Sequence, residues 1–316
     1  MSEITEELKK QLLDYPFVTA VGHARAGEID GNPPENDEKV VAALVREKKE
    51  ESELDNEQLL PSEVNGVQIE VVEVGKLEIE APDPQPIRDT GRTDTGAVHR
   101  PAPHGVSIGH PDITAGTAGF TAWKTRTKHG VTYPVPVTVT NNHVAANENQ
   151  ASRGDPILQP GPADGGRNQD SYRVGTLDGY VEIEDQDNKV DAAWFTHDGR
   201  TMSSYIPSIG VPTSTVDVSK GDEVRKFGRT TGHDSAKVVT DDARVRVNFS
   251  SGTKEFTDQV IAKSFSSGGD SGSAVVNQDG ELAGLLFAGS PNVTVFNKAS
   301  NVLEETGLAL NPEDAQ

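Results

Sequence analysis

One serine in this chain sits on a turn built of glycine, aspartate and serine: Gly268-Gly269-Asp270-Ser271-Gly272-Ser273, leading directly into Ala274-Val275-Val276. Glycines reach backbone angles closed to other residues and bring bare N–H groups close to a reacting atom. A serine held there is exposed beside amides that can share one developing oxyanion. Serine is a weak nucleophile at its free pKa, so it needs a base and a group to orient that base. Two other stretches carry those residue types. Val137-Thr138-Val139-Thr140-Asn141-Asn142-His143-Val144-Ala145-Ala146 is a strand-like run ending at a histidine, and Val190-Asp191-Ala192-Ala193-Trp194-Phe195 sets an acid inside an apolar run. A charge in such a run is costly unless it has a partner. Taken singly, each piece has an ordinary reading: a tight turn, a packed or capping histidine, a structural hydrogen-bonding aspartate. Together, in the order His143, Asp191, Ser271, they form the nucleophile, base and orienter of acyl transfer.

The order and the Gly-Asp-Ser-Gly turn resemble the trypsin-like serine peptidases of chymotrypsin fold, over roughly residues 105–308. Asn141-Asn142 stands where animal members carry two alanines, and it resembles the Asn-Asn-His-Val form of a cysteine-free branch found in bacteria, archaea and plants. The resemblance implies that Ser271 attacks a peptide or ester carbonyl, that His143 relays the proton and that Asp191 holds the histidine tautomer. It implies an oxyanion hole of the Gly269 and Ser271 amides. Residues 286–289, with Phe287, Ala288 and Gly289, align with the strand on which substrate backbone pairs, although family members often have serine where Phe287 stands. Phe265, six residues before the nucleophile, falls at the specificity-pocket floor. No aspartate lies between Ser264 and Gly268, so an apolar side chain is expected there rather than Lys or Arg. No cofactor or metal is required.

Asp270 beside the nucleophile needs a cation or several donors. In processed animal relatives that role falls to a new N-terminus. Phe227-Gly228-Arg229-Thr230-Thr231-Gly232 resembles a segment of bacterial members whose arginine meets the aspartate from inside the barrel. Arg229 is therefore the expected partner of Asp270, suited by its permanent charge and two-pronged geometry.

These residues must be positioned by β structure. From Gly105 onward, short apolar strands alternate with Gly, Asp and Asn turns. Strands are expected over 117–125, 131–140, 155–159, 173–183 and 190–196 for a first barrel at about 105–200. A second barrel at about 221–290 has expected strands over 223–227, 236–239, 243–249, 256–262, 273–276 and 282–288. A short helix at about 298–305 ends before Gly307. The fold class is mainly β: a chymotrypsin-like double six-stranded barrel, residues 105–316, with its site in the cleft between barrels.

Ahead of it, residues 1–80 read as a small α/β domain. A helix is expected over 2–14 with Ser2 as cap, strands over 17–24, 39–45 and 67–74, and a short helix over 54–60. This unit is expected to serve packing, self-association or a pro-segment role. Residues 81–104 carry five prolines with charges and read as a linker. His99, His104 and His110 fit no zinc spacing and read as solvated. Asp185-Gln186-Asp187-Asn188 lacks the glycine and glutamate of a calcium loop and reads as an acidic turn.

Composition narrows the function classes. Asp and Glu number 50 against 29 Lys and Arg, a formal charge of −21, which argues against nucleic acid and anionic membrane partners. An acidic excess along the whole chain fits a high-salt cytosol, where screening relieves self-repulsion. There are no cysteines, and the first 30 residues show no signal peptide, so a cytoplasmic location is expected. The expected function is a serine endopeptidase acting on polypeptide. The alternatives are a peptide-binding or assembly module of peptidase fold, and an autoprotease that cuts its own chain.

Overall fold

Runs with apolar residues at every second position build strands, the dominant regular element among the described residues. The computed structural model describes residues 5–25, 39–55, 58–79, 94–197 and 200–315. Helix α1 (Glu6–Leu13) buries Leu8, Leu12 and Leu13, and Thr5 caps it by accepting from Leu8 N at 3.3 Å. Ser2, the expected cap, lies outside the described residues. Strands β1 (Val18–Arg25), β2 (Lys39–Val45), β3 (Glu63–Val64) and β4 (Val67–Glu73) follow. No helix forms among the described residues of 54–60: Gln58 N closes a turn on Asp55 O at 2.8 Å, and Pro61 comes directly after.

The first barrel comprises β5 (Ser107–Ile108), β6 (Gly116–Thr117), β7 (Phe120–Lys128), β8 (Val131–Thr140), the one-turn helix α2 (Asn142–Ala145), β9 (Pro156–Leu158), β10 (Arg173–Tyr180) and β11 (Ala193–Thr196). Its sheet runs β7-β8-β11-β10-β9. The β5–β6 ribbon joins it through a Gly109–Leu158 bridge.

The second barrel comprises β12 (Glu223–Gly228), β13 (Gly232–Phe249), β14 (Gly252–Lys263), β15 (Ala274–Val276), β16 (Leu282–Gly289) and β17 (Val293–Lys298). The order β12-β15-β16-β17-β14-β13 closes back on β12, giving a six-stranded ring. The two strands expected over 236–249 are one strand, because irregularities between Val238 and Val245 bend it without breaking the ladder. Strand β17, absent from the sequence reading, is buried along nearly its whole length between β16 and β14. Helix α3 (Ala299–Thr306) ends at Gly307, whose φ of 66° is the left-handed cap expected of glycine there.

Two boundaries differ from expectation. The N-terminal strands share a sheet with the second barrel: β1 pairs with β13 at Ala20–Val245 and Val21–Arg244, and β2, β4 and β3 extend from it. Ala20, Val40, Leu44 and Leu77 pack in one cluster with Phe249, Phe256 and Phe287 of the barrel. Residues 94–104 are likewise packed against the barrels. Thr95 is buried and donates to Arg229 O at 2.6 Å, and Ala102 N donates to Thr201 O at 2.8 Å.

Two of the three histidines, His104 and His110, are therefore not solvated linker residues, whereas His99 is only half-buried. His104 is fully buried against Thr121 Oγ1 at 3.0 Å, His110 is buried beside Asp155, and His99 Nε2 donates to Asp94 O at 2.6 Å. Asp185 and Asp187 pair with Lys254 and Arg244, and no metal-ligand cluster occurs among the described residues.

Candidate active site

Strand β8 ends at Thr140 and the chain turns into α2, which presents His143 at the barrel edge. Asp191 precedes β11, the neighbour of β8, so the sheet brings acid and histidine together. The Asp191 carboxylate, fully buried, uses both oxygens on one residue: Oδ2 lies 2.5 Å from His143 Nδ1, and Oδ1 accepts from His143 N at 3.2 Å. Ring and backbone of the histidine are thus held by the same group. His143 Nε2 has no hydrogen-bond partner among the described residues.

The Asn141-Asn142 pair has a physical role here. Asn141 Nδ2 donates to Asp191 O at 2.8 Å. Asn142 Nδ2 donates to Val181 O at 2.7 Å and to Asn149 Oδ1 at 2.7 Å. From the other barrel, Asn297 Oδ1 accepts from Asp191 N at 3.1 Å. No pattern in the sequence singled out Asn297, because its partner lies on a different barrel.

Ser271 arrives from the second barrel. Gly272 sits so tightly against the first barrel that a Cβ there would lie 2.3 Å from both Thr117 O and Thr140 Oγ1, three residues before His143. A Cβ on Gly116 would lie 2.4 Å from Val144 Cγ2 and 3.0 Å from Ser271 O, so the residue after the histidine and the serine backbone flank one point. Ser271 Oγ donates to Phe287 O at 3.4 Å. This is not the bond that base catalysis needs: among the described residues no hydrogen bond joins Ser271 Oγ to His143 Nε2, and catalytic hydrogen bonds commonly form or tighten only with substrate bound. Gly269 has φ +97°, and among the described residues neither Gly269 N nor Ser271 N has an acceptor, whereas Asp270 N between them donates to Ser267 O at 3.0 Å. Two unspent amides therefore flank the serine, as an oxyanion hole requires.

The expected Asp270–Arg229 pair is not formed. Lys226 Nζ lies 3.1 Å from Asp270 Oδ2, both side chains fully buried. In β12, alternation puts Lys226 on the same inward face as Val224 and Gly228, and that was the readable signal. A Cβ on Gly228 would lie 2.5 Å from Asp270 Oδ1, so glycine lets the carboxylate approach the strand. Asp270 also accepts from Thr230 N, Thr231 N, Thr231 Oγ1 and Ser267 N. Arg229, one residue past the strand, turns to the first barrel. Its Nε and Nη2 bind the Asp164 carboxylate at 2.9 and 2.6 Å. It bolts the barrels together.

Of the residues expected from sequence to face substrate, Phe265 packs in the second-barrel core with Val260, Val275 and Phe296. Phe287 and Ala288 point into the cluster shared with the N-terminal strands, leaving the Phe287 carbonyl toward Ser271. Phe249, unforeseen from sequence, meets the His143 ring edge-on with centroids 6.1 Å apart.

A family profile described as trypsin matches residues 124–304. Among solved structures, the chain is similar to a glutamic-acid-specific serine protease, with TM-score 0.47, 20% identity, and coverage of 66% of this chain and 100% of that one. It is also similar to protease A of Thermobifida fusca, with TM-score 0.46, 16% identity, and coverage of 66% and 98%. A Nocardiopsis protease matches with the same TM-score of 0.46, 16% identity, and coverage of 66% and 98%. No curated protein sequence matches.

Proposed function

This chain belongs to the trypsin family, and we propose that it is a serine endopeptidase that hydrolyses polypeptide through an acyl-enzyme on Ser271. The observation that carries the reading is the two-oxygen grip of Asp191 on His143. That grip leaves Nε2 to take the Ser271 proton as Oγ attacks the carbonyl carbon. The Gly269 and Ser271 amides receive the oxyanion, and His143 returns the proton to the departing amine. Water then repeats the sequence on the ester and releases the carboxylate product. The test is labelling by a fluorophosphonate, which modifies only an activated serine. Wild type should label at Ser271, and Ser271→Ala and His143→Ala should not. Absence of wild-type labelling would instead leave a peptide-binding module.

A second reading, self-cleavage, is favoured by the chain's own residue Glu78, which pairs with Gly289 beside the site. Intact mass of wild type against Ser271→Ala decides it: a Ser271-dependent cut supports self-cleavage, and an uncut wild type rejects it. We also read this chain as a member of the cysteine-free prokaryotic branch, working in a salty cytoplasm. The supports are the charge of −21, the absence of cysteine and the Asn-Asn-His-Val run. A denaturation midpoint that does not rise between low and molar KCl would remove the salt adaptation. Among the described residues, no helix is long and apolar enough to cross a membrane.

A further inference from the structure

The edge of β16 that does not pair with β17 is occupied beyond the nucleophile as well. Along that edge β15 pairs first, as far as Ala274–Leu285, and the ladder continues through Gly272 N to Leu286 O at 2.8 Å. Next comes Phe287, whose carbonyl accepts from Ser271 Oγ. Two residues further, Gly289 exchanges both backbone hydrogen bonds with Glu78: Glu78 N to Gly289 O at 3.1 Å and Gly289 N to Glu78 O at 3.0 Å. The pairing is antiparallel.

The far side of the same segment is also paired. Asn248 N donates to Leu77 O at 3.1 Å, Ile79 N donates to Asn248 O at 3.3 Å, and Asn248 Nδ2 donates to Leu77 O at 3.0 Å. Leu77 is fully buried in the cluster holding Phe249 and Phe287, and Ile79 packs against that cluster. Phe249 is also the ring that touches His143.

From this we infer that residues 77–79 are a built-in strand filling the acceptor side of the substrate groove, so that a peptide reaches Gly289 only when this strand leaves. The inference rests on the peptidase reading of Ser271. It also fixes the register of the site. A peptide bound as Glu78 is bound carries its next-but-one residue opposite Phe287, within reach of Ser271 Oγ. The groove recognises extended backbone, because both exchanged bonds at Gly289 are main-chain bonds. The N-terminal layer holds the strand in place, since the sheet that begins at β13 delivers β4 immediately before it. A strand in place about 90–99% of the time lowers the apparent affinity for peptide about 10- to 100-fold, because only the vacated fraction binds.

The test compares two serine probes on the full chain. A simple fluorophosphonate needs only Ser271, whereas a peptide diphenyl phosphonate ending in phenylalanine needs the acceptor strand as well. Glu78→Pro removes the amide that donates to Gly289, and Leu77→Ala removes the buried anchor. Each should raise the ratio of peptide-probe to fluorophosphonate labelling rates by about 10-fold or more. An unchanged ratio in both folded variants overturns the inference. If either variant fails to fold, wild type alone decides. Saturating peptide phosphonate should abolish amide-exchange protection at Glu78 and Ile79, and protection retained with the probe bound overturns the inference. A wild type that the fluorophosphonate does not label refutes the peptidase reading itself, which separates the two failures.

Discussion

Replacing Lys226 by methionine keeps the length and the apolar stem and removes one charge from a fully buried pair. At 3.1 Å and an effective dielectric of about 20, the lost attraction is roughly 5 kcal/mol before desolvation is set against it. Breaking one side of a buried pair typically costs about 3–5 kcal/mol. Where in that range the variant falls depends on what Asp270 has left. It keeps Thr230 N at 2.8 Å, Thr231 Oγ1 at 2.7 Å, Ser267 N at 3.0 Å and Thr231 N at 3.2 Å. With those donors in place, Lys226→Met should cost about 3 kcal/mol. Asp270→Asn is the harsher change, because the buried ammonium then loses its counter-charge and is left among neutral acceptors such as the Thr231 hydroxyl and the Gly232 carbonyl. Its cost should approach about 5 kcal/mol. Asp270 also pins the turn between Ser267 and Ser271, so fluorophosphonate labelling should slow in both, by about 10- to 100-fold in Lys226→Met, short of losing an oxyanion donor outright. Arg229→Gln is the contrast: it loosens the barrel–barrel bolt to Asp164 and should lower the melting temperature, yet slow labelling far less than Lys226→Met. Denaturant unfolding and labelling rates on the same three variants check this. Lys226→Met with wild-type stability and labelling would refute the assignment, as would a reversed order of Lys226→Met and Asp270→Asn.

Asp191→Asn should leave the fold intact and slow Ser271 labelling by roughly 10⁴-fold, because the carboxamide cannot hold His143 in the working tautomer; a loss below tenfold would contradict that role. Burial, with His197 alongside, pushes His104 down to about 3. The unfolded chain therefore binds a proton near pH 6.5 that the folded one refuses, so the stability this group contributes is complete above that pH and is lost as pH falls toward 3. The difference is worth up to about 5 kcal/mol, and His104→Gln should flatten the wild-type fall in stability across that window when unfolding is followed by denaturant titration. Residues 105–316 expressed alone should not yield a soluble folded protein, since Leu77, Val40 and Leu44 leave the Phe249–Phe256–Phe287 cluster and β13 loses its β1 neighbour; a monomeric, labelling-competent fragment at high salt would show that the N-terminal layer is dispensable.

The three residues proposed as a triad stood out in the sequence because each carries its context in adjacent residues: glycines around Ser271, an apolar run around Asp191, a strand end before His143; of their mutual contacts the structure shows the Asp191–His143 pair. Alternation showed most strands for the same reason, since it is a property of neighbours. Strand β17 escaped because both its faces are buried and its residues offer no contrast of apolar and polar sides. The expected pair Asp270–Arg229 failed by a different route. Residue type showed that a cation was needed, but Lys226 and Arg229 are both cations near one turn. Which one met Asp270 depended on the inward face of β12 and on Asp164 waiting across the barrel interface. The continuous sheet through β1 and β13, and Glu78 lying on Gly289, were beyond local reading altogether. Main-chain hydrogen bonding is nearly blind to side-chain type, so the sequence determined that residues 67–79 could extend, and only the closed tertiary structure decided which edge they would cover.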